Sequence, residues 1–419
     1  MTAQSSAAGP VVLLLAARNV TAARTGRIAV LETAVRGLRR TGARVVTVAI
    51  TAEPGPGEWL GCPVVRLRPP SLIRMGVAAC ASIVLRRTLN EALFDSARLR
   101  TRITEVAREH GAMTVVADGI RTWEAARSTG LPVIAHLDDL LSERYASTEF
   151  ADGNNSLFGY FRSHIPSGLV RPLEAVVKRL LWLEARRARR RELAIAREAV
   201  VTALTGEAEA RRLEASSGSR VMALPMAVEP REPGDPGNAD PASAAFLGVL
   251  HYGPNIAALR FVRDELLPAL RQRGIDLKVT VIGQGGPEQR EEFLRSGLSF
   301  TGYVDDLSEA LRGHRMFISP ILSGTGVKTK VLDSLSVGLP VVATPLGIAG
   351  IPVEDGRSAL VADSAEELAD HVAALHADPE LARTIGAAGR NVLIEHLSPA
   401  TVDEGWHDAL SEAMKAGQR

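Results

Sequence analysis

The sequence predicts an α/β protein built from two doubly wound halves. Short apolar runs, typical of strands buried on both faces of a sheet, alternate with helical segments along the chain. At 419 residues the chain exceeds the size of one ordinary hydrophobic core, so two domains are expected. A stretch rich in proline and glycine at 229–243 separates the two runs of alternation and is interpreted as a linker.

The first half begins with a βαβ pattern. An apolar run at 11–17 leads into a helical pattern through Val30, Ala34 and Leu38, and a second apolar run follows at 45–50. Later strands are predicted at 63–67, 113–117, 132–136 and 200–205, and helices at 170–199 and 206–214. We therefore expect residues 1–228 to form a Rossmann-like N-terminal domain.

The second half repeats the alternation. Strands are predicted at 245–249, 277–282, 299–301, 315–319, 340–344 and 359–361, and a helix at 255–273. Residues 244–396 are therefore expected to form a C-terminal domain of the same kind. The last segment, 397–419, is predicted to be a helix that packs back on the N-terminal domain.

The charge balance and the cysteines exclude several classes of protein. Lys and Arg number 49 and Asp and Glu number 48, which argues against a dedicated nucleic-acid binder because such proteins carry a basic excess. Cys62 and Cys80 have neither a disulfide-framework nor a metal-ligand spacing, so no metal site is expected. The first nine residues lack the pattern of a secretion signal, and a cytoplasmic location is expected.

The turn at 324–333 has the composition of an anion site. It follows an apolar strand, and a helix is predicted to start near Gly326 or Val327. Glycines allow a ligand close to the backbone, and the free N–H groups of a first helical turn face anions. Lys328 could pair with a phosphate, and a carboxylate at Asp333 could accept bonds from two ribose hydroxyls. The alternative is an ordinary helix start with solvated lysines.

Four ordered segments resemble the C-terminal domain of family 4 glycosyltransferases. They lie at 246–255, 281–285, 300–307 and 324–344, and the last ends in Gly-Leu-Pro-Val-Val. The resemblance implies the GT-B fold, in which two Rossmann-like domains face a cleft. It also implies a UDP-, GDP- or dTDP-linked sugar donor, a hydroxyl acceptor, transfer with retention of configuration, and no required metal or cofactor.

The resemblance also assigns residues to the donor. Asp333 takes the place of the second glutamate of the E-x7-E motif, which holds the ribose, and Thr325 takes the place of the first, as in a subgroup with a glycine-rich loop. The usual Arg and Lys are absent from 249–255, which leaves Lys328 or Lys330 for the diphosphate. The expected donor contacts are Gly253, Asn255, Gly283, Tyr303, Val304, Gly324, Thr325, Gly326, Lys328, Lys330 and Asp333.

Two segments of the first half are candidates for the remaining chemistry. The strand at 132–136 ends in a polar cluster, where the family often has a histidine or aspartate, and His136 and Asp139 are the catalytic candidates. A core histidine and a helix-capping aspartate are the alternatives. An N-terminal loop resembles one that touches donor phosphates or the acceptor, although it could equally be a helix start with surface arginines. Its residues are Arg24, Thr25, Gly26 and Arg27.

The predicted helix at 170–199 carries a dense basic stretch at 178–191. Such a helix could lie on an anionic membrane, as a peripheral contact at the inner face, or it could present a solvated surface. For the whole chain, the main hypothesis is a retaining glycosyltransferase. The alternatives are a GT-B epimerase or phosphorylase, and a non-catalytic nucleotide-sugar-binding homologue or partner subunit.

Overall fold

The computed structural model describes residues 9–22, 26–71, 88–146, 167–250, 252–324 and 326–418. They divide into two compact units. The first unit contains the described chain up to Ala146 together with Ala175–Ala227 and the segment from Pro399 onward, and the second is built on Val228–Ser398. Three expected site residues, Arg24, Thr25 and Thr325, lie outside the described residues.

The first unit alternates strands and helices. Its strands are β1 Val11–Ala16, β2 Arg44–Ile50, β3 Glu58–Trp59, β4 Cys62–Leu67, β5 Thr114–Asp118, β6 Val133–Asp138, β7 Val201–Leu204 and β8 Val221–Ala223. Its helices are α1 Gly26–Arg40, α2 Leu89–Phe94, α3 Ala97–Glu109, α4 Ile120–Arg127, α5 Leu141–Ala146, α6 Ser167–Glu198 and α7 Glu207–Ser217.

The second unit follows the same scheme. Its strands are β9 Ser243–Leu247, β10 Lys278–Ile282, β11 Ser299–Gly302, β12 Met316–Ser319, β13 Val341–Ala343 and β14 Leu360–Val361. Its helices are α8 Gly253–Phe261, α9 Leu267–Gln272, α10 Pro287–Leu294, α11 Leu307–Arg312, α12 Thr329–Ser336, α13 Ala365–Ala377 and α14 Pro379–Leu397. A final helix, α15 Pro399–Gly417, belongs to the first unit.

The sheet of the first unit has β1 near its centre. The strand order is β3-β4-β2-β1-β5-β6-β7-β8, and all pairs are parallel except β3 with β4. Every residue of β1 is buried, and alternate side chains enter two hydrophobic clusters, with Leu13 in one and Leu14 in the other. A strand covered on both faces explains the uninterrupted apolar run in the sequence.

Helix α15 completes one of these clusters. Trp406 is fully buried and belongs to the cluster that also contains Leu31 and Leu38 of α1. A Cβ atom added at Gly37, in the middle of α1, would lie only 2.7 Å from the Trp406 ring. The glycine therefore allows the close approach of α15 to α1, which outweighs the cost of glycine inside a helix.

The second unit contains a parallel sheet with the strand order β11-β10-β9-β12-β13-β14. The helical stretch after β9 is interrupted by a π-helical turn at Val262–Leu266, directly before α9. Pro268 lies in the first turn of α9, where it lacks the N–H group that would extend a regular helix. The sequence-based helix at 255–273 is therefore correct in position but not in its regularity.

Both parallel sheets confirm the predicted fold class, and each predicted strand coincides with an observed one within about two residues. The predicted start of the helix near Gly326 or Val327 is wrong, because α12 begins at Thr329. Gly324 and Gly326 have φ angles of 108° and 74°, which an α-helix does not contain. Within the described residues, no helix is both long and apolar enough to cross a membrane.

Candidate functional site

The carboxyl ends of the parallel strands in the second unit lead into glycine-rich turns. The longest joins β12 to α12, and its left-handed residues Gly324 and Gly326 bend the backbone so that the Lys328 side chain folds over the turn. Lys328 Nζ donates to the carbonyl oxygen of Gly326 at 2.7 Å and lies 3.4 Å from that of Gly324. The lysine thus closes a loop whose backbone lies at the edge where open α/β sheets bind ligands.

Lys330 lies beside this loop and is held by neutral groups. Its Nζ atom donates to Asn255 Oδ1 at 2.5 Å and lies 5.0 Å from the centre of the Phe246 ring. Burial, with a smaller effect from the Lys328 charge, lowers the pKa of Lys330 to about 7. An ammonium group that has lost hydration without gaining a carboxylate is set up to pair with an incoming anion.

Asn255 is fixed from two sides. It is buried near the start of α8, and its Nδ2 group donates to the carbonyl oxygen of Val249 at 2.9 Å. A Cβ atom at Gly248 would lie 2.6 Å from this amide, so only glycine leaves room for it. The structure therefore brings Asn255 and Lys330 together, while Gly253 forms the first residue of the same helix.

A cavity of about 400 Å³ opens at the ends of β10 and β11. A Cβ atom at Gly283 would lie 2.4 Å from the carbonyl oxygen of Gly248, so this turn packs directly against the turn that follows β9. Tyr303 is 73% exposed, and Val304 follows it. The lining residues are Gln284, Gly285, Gly286, Arg290, Gly302 and Tyr303.

Two further residues complete this edge. Asp333 is half-buried in the second turn of α12, which places a carboxylate on the helix that starts beside the two lysines. Arg290 is a cavity residue that the sequence analysis missed, and its Nε atom is buried with no hydrogen-bond partner among the described residues. Its only signal in the sequence was its position one turn after the glycine-rich turn at 283–286.

In the first unit, the strand ends carry ion pairs between arginine and aspartate side chains. Asp118, the last residue of β5, is buried and pairs with Arg18 at 3.2 Å and with Arg27. Burial opposes its charge, but Arg27 and Arg18 outweigh that effect and hold the pKa of Asp118 below its usual range. Arg27 also pairs with Asp138 at 3.0 Å.

These contacts involve the described part of the predicted N-terminal loop, Gly26 and Arg27. Gly26 and Arg27 are the first residues of α1, and Arg27 is enclosed by Asp118 and Asp138. Its Nη2 group also lies 3.3 Å from the carbonyl oxygen of His136. Arg27 thus links the ends of β5 and β6 through two ion pairs, and its contact with a phosphate or an acceptor stays a prediction.

His136 lies in the core of the first unit, as the alternative interpretation of this residue predicts, and its catalytic role stays a prediction. Its ring is 1% exposed and is tilted by 54° against Trp406, with 5.5 Å between the ring centres. Burial first, and then the charge of Arg27, lowers the pKa of His136 to about 4. The ring is therefore neutral near pH 7 and almost fully covered by protein atoms.

Asp139 lies beyond the strand end but is also largely enclosed. It is 7% exposed, and Arg144 Nε donates to its Oδ2 atom at 2.9 Å. Burial raises the pKa of Asp139 despite the opposing charge of Arg144. The structure therefore places Asp139 in an ion pair at the start of α5.

Asp138 is the residue that the sequence analysis overlooked. Its φ angle of 72° is left-handed, and the pairing of β6 with β7 shifts register between His136 and Asp138. Its side chain is 23% exposed, while Thr205 Oγ1 donates to its carbonyl oxygen at 2.8 Å. A non-glycine residue in this conformation often marks a functional site, because the strain must be offset by its surroundings.

Glu209 adds a second overlooked carboxyl group near the same edge. Burial, followed by the charge of Asp139, raises the pKa of Glu209 to about 7. Its Oε1 atom lies 3.4 Å from the backbone nitrogen of Leu140. Among the described residues, no group of three or more His, Cys, Asp or Glu side chains is arranged to hold a metal ion.

Comparison with known proteins finds a family similar to part of the second unit. Residues 242–378 match the family described as "Glycosyl transferases group 1". An uncharacterized 44.6 kDa protein in the cps region of Klebsiella pneumoniae is 26% identical over 136 residues. That match covers 30% of this chain and 35% of the Klebsiella protein.

Solved structures match nearly the whole chain in fold. Sucrose-phosphate synthase from Thermosynechococcus elongatus has a TM-score of 0.67 at 15% identity, covering 97% of this chain and 100% of that one. Anabaena HepE in complex with UDP and glucose has a TM-score of 0.60 at 14% identity, covering 96% and 99%. The chain has the GT-B fold, and the match of residues 242–378 to the group 1 family supports an enzyme of the glycosyltransferase type.

Proposed function

We propose that this chain transfers a sugar from a nucleotide-diphosphate donor to a hydroxyl acceptor. The group 1 domain supports sugar transfer, and HepE has been crystallised with UDP and with UDP-glucose. The observation that carries the proposal is Lys330, a desolvated lysine whose partners among the described residues are an amide and an aromatic ring beside a glycine-rich turn. This environment favours binding of a polyphosphate at that edge.

Donor binding is assigned to residues 244–396. The turn at Gly324 and Gly326, with Lys328 and Lys330, would hold the diphosphate, and Asp333 would accept hydrogen bonds from the ribose hydroxyls. The cavity at the ends of β10 and β11 would take the base, which is uracil, guanine or thymine in the UDP, GDP and dTDP donors considered. Tyr303 and Arg290 offer a ring and a guanidinium plane for stacking.

The chemical step needs stabilisation of the leaving diphosphate. Negative charge grows on its bridging oxygen as the bond to the sugar breaks, and fixed ammonium groups stabilise that charge. We therefore propose that Lys328 and Lys330 supply the positive charge and that neither a metal nor another cofactor is required. Retention of configuration would follow if the acceptor attacks from the face that the diphosphate leaves.

The acceptor is assigned to the N-terminal domain, residues 1–228, with the final helix at 397–419. Asp138 replaces His136 as the catalytic candidate, because its carboxylate is partly exposed at the end of β6. Arg27 and Thr205 fix its position, so that it could accept a hydrogen bond from the acceptor hydroxyl. Asp139, paired with Arg144, would support this arrangement.

The proposal is tested by nucleotide binding and release. The wild-type protein should bind at least one of UDP, GDP and dTDP and should slowly release nucleotide from the corresponding sugar donor. Lys330→Ala should weaken nucleotide binding by about tenfold to a hundredfold, since a charged hydrogen bond contributes about 1.5–3 kcal/mol. Lys278→Ala is the control, because Lys278 lies at the opposite end of the same sheet and is exposed.

The same assay separates the alternatives. Tight nucleotide binding without turnover on any acceptor would favour a non-catalytic homologue. Conversion of a nucleotide sugar into its epimer, or phosphate-dependent release of the sugar, would favour an epimerase or a phosphorylase. Equal nucleotide affinity of Lys330→Ala and the wild type would remove the diphosphate role of this lysine.

A peripheral contact with the inner face of the cytoplasmic membrane is the second part of the proposal. Helix α6 exposes Leu180, Trp182 and Leu183, and the Arg186 guanidinium lies 3.8 Å from the centre of the Trp182 ring. Exposed apolar side chains among arginines match the boundary of an anionic bilayer.

Vesicle sedimentation tests this contact. The protein should bind phosphatidylglycerol vesicles more strongly than phosphatidylcholine vesicles, and Trp182→Ser should reduce that binding. Leu294→Ser, at an exposed apolar position in the second unit, is the matched control. Binding that is the same for both lipids, or that survives Trp182→Ser, would contradict a docking role for α6.

A further inference from the structure

Arg121 lies where three neighbouring strands of the first unit end. It is the second residue of α4, directly after β5, whose last residue Asp118 pairs with Arg18 from the turn after β1. Arg144 belongs to α5, after β6. Because β1, β5 and β6 are adjacent and parallel, their following turns share one edge of the sheet, and three arginines meet there.

The three arginines differ in their partners. Arg18 shares Asp118 with Arg27, and Arg144 pairs with Asp139. Arg121, in contrast, has only neutral partners among the described residues. Its Nε group donates to Asn90 Oδ1 at 2.7 Å, and its guanidinium carbon lies 5.3 Å from the centre of the Phe94 ring.

The neutral partners hold Arg121 in a defined position. Asn90 is buried in α2, and its Nδ2 group donates to the hydroxyl of Tyr145, so the amide is fixed while it accepts from Arg121. Only the Nε–H of Arg121 is used, and its two Nη groups have no acceptor within the described part of the chain. A fixed guanidinium with two donor groups unused matches a phosphate or carboxylate, which binds such a fork through two oxygens.

The surrounding charges support this assignment. Arg121 is exposed, but partial burial of its guanidinium and then the charges of Arg18 and Arg144 lower its pKa against the opposing effects of Tyr145 and Asp118, and it stays protonated at neutral pH. Asp118 is already paired with Arg18 and Arg27, so an incoming anion would offset the repulsion that Arg18 and Arg144 exert on Arg121. Surface arginines elsewhere in α4 do not share this condition, since Arg127 lies 3.6 Å from Glu124 and 3.5 Å from Glu198.

We propose that Arg121, flanked by Arg18 and Arg144, binds an anionic group on the acceptor, either a phosphate or a carboxylate. This inference rests on the proposed function, because it gives the substrate class for the acceptor side of that reaction. The acceptor hydroxyl would then be oriented by two contacts: its anionic group on Arg121 and the hydroxyl itself near Asp138. A neutral sugar would lose the first contact and bind more weakly.

The experiment measures the binding of defined probes to the full chain in the presence of UDP. The anionic probes are glucose 6-phosphate, methyl glucuronide and farnesyl diphosphate, which stand for a sugar phosphate, a uronic acid and a lipid-linked diphosphate. Methyl glucoside is the neutral reference. At least one anionic probe should bind about tenfold or more tightly than methyl glucoside, and the tightest identifies the source of the anion.

Variants connect that preference to the arginine. Arg121→Gln should abolish the preference for the anionic probe, and Arg121→Lys should restore part of it, because a lysine keeps the charge but not the two-pronged geometry. Arg127→Gln on the same helix should behave as the wild type. Thermal unfolding of Arg121→Gln in the absence of probes shows whether this variant remains folded. If it does not, the probe preference of Arg121→Lys is compared with that of the wild type instead.

The outcomes separate this inference from the proposed function. If the wild type binds UDP but binds no anionic probe better than methyl glucoside, the anionic acceptor site is wrong while the donor proposal stands. Retention of the preference in both Arg121 variants would also overturn it. If the wild type binds neither UDP, GDP nor dTDP, the proposed function itself fails.

Discussion

The edges formed by the carboxyl ends of the strands differ between the two sheets in how their charged side chains are paired. In the first unit, buried guanidinium groups and carboxylates neutralise one another, as with Arg27 between Asp118 and Asp138. In the second unit, Lys330 contacts an amide and an aromatic ring and has no carboxylate partner among the described residues. The first edge is therefore mostly paired internally, with Arg121 as a cation that has no carboxylate partner among the described residues, and the second edge has Lys330 left for a ligand.

The largest expected effect is on the paired edge. Asp118→Asn would leave Arg27 and Arg18 without their shared carboxylate in a buried setting. Breaking a buried ion pair costs about 3–5 kcal/mol, so the free energy of unfolding of the first unit should fall by that amount. Urea denaturation measures it.

Asp403→Asn is the control for that prediction. Asp403 pairs with Arg40, which is half exposed, so its loss should cost less than about 1 kcal/mol. Equal losses for both variants would mean that the buried network contributes no more than a surface pair.

The next effect concerns acid stability. His136 has a pKa near 4 in the folded chain and an ordinary value of 6.5. Between these values the unfolded chain takes up a proton and the folded chain does not, so stability falls as pH decreases. The slope from this residue should approach about 1.4 kcal/mol per pH unit, with a total of about 3 kcal/mol by pH 4.

His136→Phe should flatten that slope, whereas His407→Gln, at an exposed position of α15, should leave it unchanged. Unfolding curves between pH 4 and pH 7 provide the measurement. An acid slope that is the same in His136→Phe and the wild type would show that another group controls it.

A smaller effect distinguishes the ligand-binding edge. Lys330 has a pKa of about 7 in the unliganded chain, and a bound diphosphate should raise it by stabilising the ammonium form. Nucleotide binding then requires uptake of a proton above pH 7, and affinity should fall by up to about tenfold per pH unit. Lys330→Arg, which stays charged, should lose this dependence. Calorimetry between pH 7.5 and pH 9 would show a flat wild-type profile if the lysine does not contact the nucleotide.

The contrast between the edges also explains what could be predicted from the sequence. Strands buried on both faces leave long apolar runs, so the fold class and the strand positions were predictable. Glycines and lysines in the turn at 324–333 leave a composition signal as well. The contacts of these residues leave no such signal in the sequence. Asn255 and Lys330, for example, are 75 residues apart and meet only in the folded protein.

The residues at the strand ends of the first unit were harder to predict, because a single register shift decides which residue of β6 lies at the edge. The predicted strand ended at 136, which made His136 the apparent edge residue. The observed strand continues to Asp138, with a register shift and a left-handed φ angle that place Asp138 at the edge. Neither feature has a sequence signal, since Asp is only one of several residues that tolerate this conformation.

The smallest expected effect tests whether the glycine-rich turn needs its backbone shape. A Cβ atom at Gly326 would meet no atom within 4 Å, so Gly326→Ala has room for its side chain and is opposed only by the φ angle of 74°. A left-handed alanine costs about 1–2 kcal/mol, which is too little to unfold the second unit but enough to shift the turn. Nucleotide affinity should therefore fall by about fivefold to thirtyfold with little change in unfolding temperature. Gly313→Ala, a glycine with a negative φ angle and the same free space, should change neither quantity. If Gly326→Ala binds nucleotide as well as Gly313→Ala does, the backbone of this turn does not contact the diphosphate, and the lysines alone must account for its binding.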